Sequence, residues 1–159
     1  RDAPSKVTGP RVTSQPIWLP IHVLRGKVVL GLTIIAVGLA VSVVRRERLG
    51  LRFPEAADDA GTEETAYRLM LFAAVFQTLM LIAGAAWARD AWGRYWAWDP
   101  LESWSFMTWL ATLTYLHWRP GSAGRHSTGA LMIVGIYVLA FATFFGVPFI
   151  STAPHKGAI

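Results

Sequence analysis

No cysteine occurs among the 159 residues. That excludes disulfides, thiolate metal sites and CxxC redox chemistry by this chain itself, so any cysteine chemistry has to come from a partner. Charge is also scarce. Asp, Glu, Lys and Arg make up 16% of the residues against 53% hydrophobic ones, and the mean hydropathy is +0.39. A soluble domain of this length carries more charge and less apolar bulk, so the composition points to a membrane protein. Acidic residues are fewer than basic ones, 10 against 15, which leaves a net charge of +5. The cations sit in short clusters at the ends of apolar segments and do not line one face, an arrangement that suits a lipid bilayer and argues against nucleic acid as a partner. The start, RDAPSKVTGPRVTSQP, lacks a signal-peptide apolar core and begins at Arg1, so the expectation is a processed chain or a piece of a longer one.

Apolar runs fill most of the rest. Their lengths and breakers predict an all-α integral membrane protein with four transmembrane helices, at about 21–44, 67–86, 100–118 and 128–148. Residues 1–16 form a polar N-terminal arm, and 17–159 the membrane domain. The 45–66 connection, with Gly50, Pro54, Gly61 and six acids, reads as a solvated loop, and 119–129 as a short turn. Gln77 is the only strongly polar residue inside the second span. Asp99-Pro100-Leu101-Glu102 has the pattern of an N-cap, a proline at the first helical position and an acid at the third, a capping box that starts the third span. Four spans put both termini and the 87–98 connection on one face of the membrane. Lysines and arginines are almost evenly divided between the faces, so charge alone does not orient the chain.

The stretch WARDAWGRYWAWDPLESWSFMTW, from Trp87 to Trp109, holds six of the eight tryptophans. Trp suits either a membrane–water interface or the face of a large planar ligand. An aromatic belt accounts for Trp87, Trp104 and Trp109. It accounts poorly for Trp92, Tyr95, Trp96 and Trp98 within seven residues, because a belt needs one or two rings per helix end. Span parity brings His22 and His155 to the same interfacial layer, and neutral imidazole is a good axial ligand for haem iron while indoles cover a porphyrin plane. Arg25, Lys27 and Arg94 in that layer suit the haem propionates. His117 lies about 25 Å up the third helix from Pro100 at ~1.5 Å per residue, so it serves a second site near the opposite face or none. His126 reads as a solvated histidine, and capping alone explains Asp99 and Glu102.

Trp92-Gly93-Arg94-Tyr95-Trp96-Ala97-Trp98-Asp99-Pro100, continuing through Glu102 to Thr108-Trp109-Leu110 and Tyr115-Leu116-His117, resembles the WWD signature of the haem-handling cytochrome c biogenesis proteins, most closely the system II CcsA/ResC type. Trp18-Leu19-Pro20-Ile21-His22-Val23 is similar to the segment with that family's first external haem histidine. Phe144-Phe145-Gly146-Val147, leading to His155, is similar to the segment with its second. His117 falls where the family has a transmembrane haem histidine. The resemblance implies haem b as the ligand, held at His22 and His155 on the outer side of a bacterial-type inner or thylakoid-like membrane. Trp92, Arg94, Tyr95, Trp96, Trp98 and Asp99 would belong to the haem-binding segment. The haem would be presented to apocytochrome c, whose CxxCH thiols add to its vinyl groups, so the chain supplies no nucleophile and would act as part of a haem lyase.

Three departures stand out. Leu101 replaces the usual lysine, Pro154-His155-Lys156-Gly157 lacks the usual serine and tyrosine, and the family core has more than four spans. Either a membrane partner subunit supplies the missing helices, or the chain is the C-terminal part of a longer protein or a short relative of the family. The alternatives are a non-catalytic membrane subunit of a larger respiratory or photosynthetic complex that retains the WWD scaffold, and a haem exporter or chaperone.

Overall fold

The structure is a computed structural model that describes residues 18–50, 59–122 and 125–150. The described chain is helical. α1 runs over Trp18–Leu49, α2 over Asp59–Trp92, α3 over Pro100–Trp118 and α4 over His126–Phe141. A 3-10 turn, Arg119–Gly121, extends α3, while a π-helical turn, Ala142–Gly146, joins α4 to a short α5, Val147–Ile150.

The helix ends follow from local chemistry. Pro20 sits in the first turn of α1, where its missing N–H leaves no bond unmade. Arg46 and Arg48 meet the negative end of α1, which stops at Gly50 in the left-handed conformation (φ 61°). Both long helices reach further into polar sequence than the apolar runs predict. The solvated loop expected over 45–66 is a correction: α1 continues to Leu49 and α2 already begins at Asp59. The reason is that this polar turn of α2 has a buried face. Thr62 and Ala66 pack inward, Arg46 of α1 donates to the Thr62 hydroxyl at 3.4 Å, and Glu64 pairs with Arg68 one turn on.

Successive helices are antiparallel. α1 packs most extensively on α2, and α3 and α4 complete a ring in which α4 touches both α1 and α3. The seams are made of small residues, among them Ala36 and Ala40 of α1, Ala66, Ala73 and Ala83 of α2, and Ala130 and Ala140 of α4. Large side chains such as Ile35, Phe72, Val75, Ile82 and Leu131 are on the outside. Burying small residues and exposing large apolar ones is the packing logic of helices in lipid, where close backbone approach drives association. α1, α2 and the helical run through α4 and α5 are each long and apolar enough to cross a membrane. α3, 19 residues with Glu102, His117 and several Ser and Thr, is not among them.

A few polar groups sit inside. Thr33, Thr108, Thr112 and Thr143 return their hydroxyls to carbonyls one turn back on their own helices, and Thr108 and Thr143 approach to 3.4 Å across the α3–α4 seam. Gln77 is 1% exposed, and neither its amide nitrogen nor its oxygen has a partner among the described residues.

Candidate functional site

At the end of the bundle where α2 finishes, the Gly93 N–H donates to Arg89 O at 2.9 Å with Gly93 at φ 75°, a left-handed C-cap. The Arg89 guanidinium then turns back. It donates to Gly93 O at 2.7 Å and lies 5.7 Å from the Tyr95 ring centroid. Residues 94–98 cross without regular structure to Asp99, the N-cap of α3, whose carboxylate accepts from Glu102 N–H at 2.9 Å. The expected capping residues are therefore in place. The Glu102 carboxylate, in a residue only 8% exposed, reaches two residues ahead of the cap and accepts from Ala97 N–H at 2.7 Å.

Between those two anchors stands Trp98. Among the described residues it is the one non-glycine with positive φ, at 58°. The left-handed region costs an L-residue with a bulky side chain about 1–2 kcal/mol, and Ser103 Oγ reinforces it by donating to Trp98 O at 3.3 Å. The result is an aromatic corner. Trp96 and Trp98 meet edge to face at 5.7 Å, both meet Phe106 nearly perpendicular, and Phe106 stacks on Trp109 at 5.6 Å. Trp109 is tied down by its indole N–H, which donates to Thr78 Oγ1 of α2 at 2.9 Å. Trp98 is nevertheless 67% exposed and Tyr95 62% exposed. Trp96 Nε1 is buried with no partner among the described residues.

His22 lies at the same height, in the α1–α2 seam. Its Nδ1 is 2.9 Å from the carbonyl of Met80. A carbonyl only accepts, so this contact requires a proton on Nδ1; a neutral ring in that tautomer is the form that ligates a metal through Nε2. The ring fits because α2 has Gly84 there; a Cβ on Gly84 would come within 2.9 Å of His22 Cε1 and Nδ1. Arg25, one turn along α1, donates to Leu79 O at 3.4 Å. Phe144, in the π-helical turn, fills the space over Gly26 in the α1–α4 seam. Met80 and Thr78 are two residues apart on α2, about 3 Å along the axis at ~1.5 Å per residue, and on opposite sides of the helix. His22 and the indole corner thus share a level of the bundle and flank α2 from different seams.

The remaining sequence candidates divide as follows. Arg94 is exposed beside Tyr95. Trp92 is the last residue of α2, with a side chain outside the described set, and His155 lies outside the described residues altogether. His117 is exposed near the far end of α3, remote from His22. Of the three tryptophans assigned to a belt, Trp104 is exposed, whereas Trp87 is only 8% exposed and Trp109 is hydrogen-bonded into the bundle.

His126 is not the solvated histidine expected. At the far end its Nδ1 meets Glu63 Oε1, while Arg119 Nη2 donates to Glu63 Oε2 at 3.0 Å. One carboxylate on α2 so joins the end of α3 to the start of α4. Beside it a cavity of about 140 Å³ is lined by Tyr115, Arg119, Ser122, Arg125, His126 and apolar residues. No spacing in the sequence announces this triad, because Glu63 and its partners are 56 and 63 positions apart.

Comparison with known proteins gives one family. A family model described as "Cytochrome C assembly protein" matches residues 9–155. Similar relatives named "Cytochrome c biogenesis protein CcsA" include one from Prochlorococcus marinus (strain MIT 9312), 39% identical over 57% of this chain and 29% of its own length. A second, from Prochlorococcus marinus (strain MIT 9515), is 36% identical over 69% of this chain and 36% of its own. One from Trachelium caeruleum is 34% identical over 57% of this chain and 28% of its own. The matched part thus spans about a third of the length of these relatives. No solved structure matches the chain.

Proposed function

The chain belongs to the cytochrome c assembly protein family, and on that premise we propose that it binds haem and presents it on the outer face of the membrane for covalent attachment to apocytochrome c. His22 and His155 would hold the haem iron, and Tyr95, Trp96 and Trp98, with Trp92, would supply flat aromatic surface against the macrocycle. Arg94 and Arg25 stand where the propionates would need cations, and Asp99 starts the helix that supports the shelf. The membrane is of the bacterial inner or thylakoid type. In it α3 forms the fourth crossing, since it runs beside α2 and α4 from the Trp-rich end to the Glu63 end.

The observation that carries this reading is the contact between His22 Nδ1 and the Met80 carbonyl. An imidazole whose Nδ1–H is donated to a backbone carbonyl, with glycine opposite it, is held in one orientation, and in its neutral form it would offer Nε2 to iron. The aromatic corner at the same level adds exposed indole and phenol faces, where a folded core alone would have covered them. This chain's part in the reaction is orientation: it holds the macrocycle so that the thiols of the substrate reach the vinyl carbons, the sulfur adding to one carbon and the proton going to the other. His117 would serve a second haem near the opposite face.

The purified chain is expected to show a b-type absorption spectrum that is lost in a His22→Ala/His155→Ala double mutant. Retention of full haem in that double mutant, with cytochrome c still matured, would sink the assignment.

A further inference from the structure

Helix initiation does not account for Glu102. Asp99 already caps the Glu102 amide, and Pro100 removes one of the other orphan donors of the first turn. In a capping box the acid at the third helical position reaches back to the amide of the N-cap residue itself. Here the carboxylate is in a residue only 8% exposed and is committed to the amide of Ala97, outside the helix. Immediately after Ala97 the chain enters the left-handed conformation at Trp98, and immediately after that the Trp98 carbonyl accepts from Ser103 Oγ. The Trp96–Ala97 peptide, one step ahead of the strained residue, and the Trp98–Asp99 peptide directly after it are therefore both held by side chains from the first turn of α3. Backbone strain of this kind persists only where the surroundings over-determine it, and it concentrates at functional sites. What the strain achieves is visible in the rings. It sets Trp98 perpendicular to Trp96 at 83° and to Phe106 at 87°, while leaving 67% of the residue exposed.

We propose that Glu102 is a positioning residue for ligand binding: through the Ala97 amide, with Ser103 on the Trp98 carbonyl, it fixes the left-handed turn that offers the Trp98 indole to a flat aromatic macrocycle. This deepens the haem-presentation reading and rests on it for the identity of the macrocycle. The hydrogen bond needs an acceptor at the reach of a Glu side chain; it does not need a charge. A cap or dipole role would need a charge in the first turn and would tolerate a shorter side chain. Glutamine and aspartate at this position separate the two.

The test is a haemin titration of the full chain in detergent, followed by the Soret band, on wild type and on Glu102→Gln, Glu102→Asp, Glu102→Ala and Trp98→Ala. Thermal melting and exchange of the Ala97 amide are recorded without haemin. Expected is a loss of affinity of about tenfold or more in Trp98→Ala, Glu102→Ala and Glu102→Asp, the scale of one charge-assisted hydrogen bond or ring contact. Glu102→Gln should stay within about threefold of wild type, because its amide oxygen still accepts from Ala97. The Ala97 amide should be protected in wild type and Glu102→Gln and should exchange fast in the other two Glu102 variants. Full affinity in Glu102→Asp with a loss in Glu102→Gln would overturn the proposal in favour of a charge role. Loss in Trp98→Ala with none in Glu102→Ala would overturn it as well. Unchanged affinity in Trp98→Ala, or no haemin binding by wild type, would instead defeat the haem reading of the shelf; the Ala97 exchange pattern then judges the anchor by itself. Should Glu102→Ala fail to fold, the contrast between Gln and Asp decides.

Discussion

Gly84 shows how much one missing methyl group decides. The His22 ring occupies the place where a Cβ would stand, and the ring is hydrogen-bonded to the carbonyl of Met80, four residues earlier on the same helix. Gly84→Ala must push the imidazole away or part α1 from α2. It is expected to broaden or abolish the b-type spectrum while leaving the protein helical. Gly31 of α1 has nothing within 4 Å of its added Cβ, so Gly31→Ala is the matching control. That control should leave the spectrum alone and raise stability by about 0.5–1 kcal/mol, since alanine is the better helix former. Absorption spectra and melting curves of the two variants check both outcomes. At this scale the sequence was readable in part. Asp99 and Pro100 announced the start of α3 by their types alone, and His22 by its place ahead of an apolar run. The carbonyl partner of His22, the burial of Trp87 and the anchor from Glu102 to Ala97 depend on which neighbour lies opposite, which no local pattern encodes.

Among elements, the joint at Glu63 ties α2 to α3 and α4 through Arg119 and His126. Glu63→Ala would leave Arg119 without its carboxylate beside a buried tyrosine. A loss of about 1–2 kcal/mol is expected after allowing for the partial exposure of all three groups. Thermal melting in detergent measures it, and a change under 0.3 kcal/mol would show the contact to be idle, the level of an ordinary surface substitution. The same joint explains why α2 begins ahead of its apolar run. Apolar runs mark where a helix meets lipid, but α2 starts earlier, where Thr62, Glu63 and Ala66 meet other helices. Polar residues that find partners 56 or more positions away look like loop when read locally.

Taken whole, the molecule has two unlike ends, aromatic where His22 sits and ionic where Glu63 sits. The class of fold was legible because large apolar residues face outward all around the bundle, so hydropathy stays high through each turn of the long helices. The status of α3 was less so, because its Thr-rich inner face lowers its apolar content. The lack of cysteine makes topology directly measurable. Single cysteines placed at exposed Tyr95 and exposed Gly121 should label with an impermeant thiol reagent from opposite sides of the membrane. Labelling of both from one side would show that α3 does not cross.

Trp98 adds a historical consequence. Its backbone conformation is one that glycine adopts freely, so selection for stability alone would favour glycine there. Trp98→Gly is expected to melt above Trp98→Ala by about 1 kcal/mol, the backbone strain isolated from the indole; equal melting of the two would show that the position is not strained. Keeping tryptophan there sets durability against use. If the haem-presentation reading holds, Trp98→Gly should gain stability and lose ligand affinity in the same step.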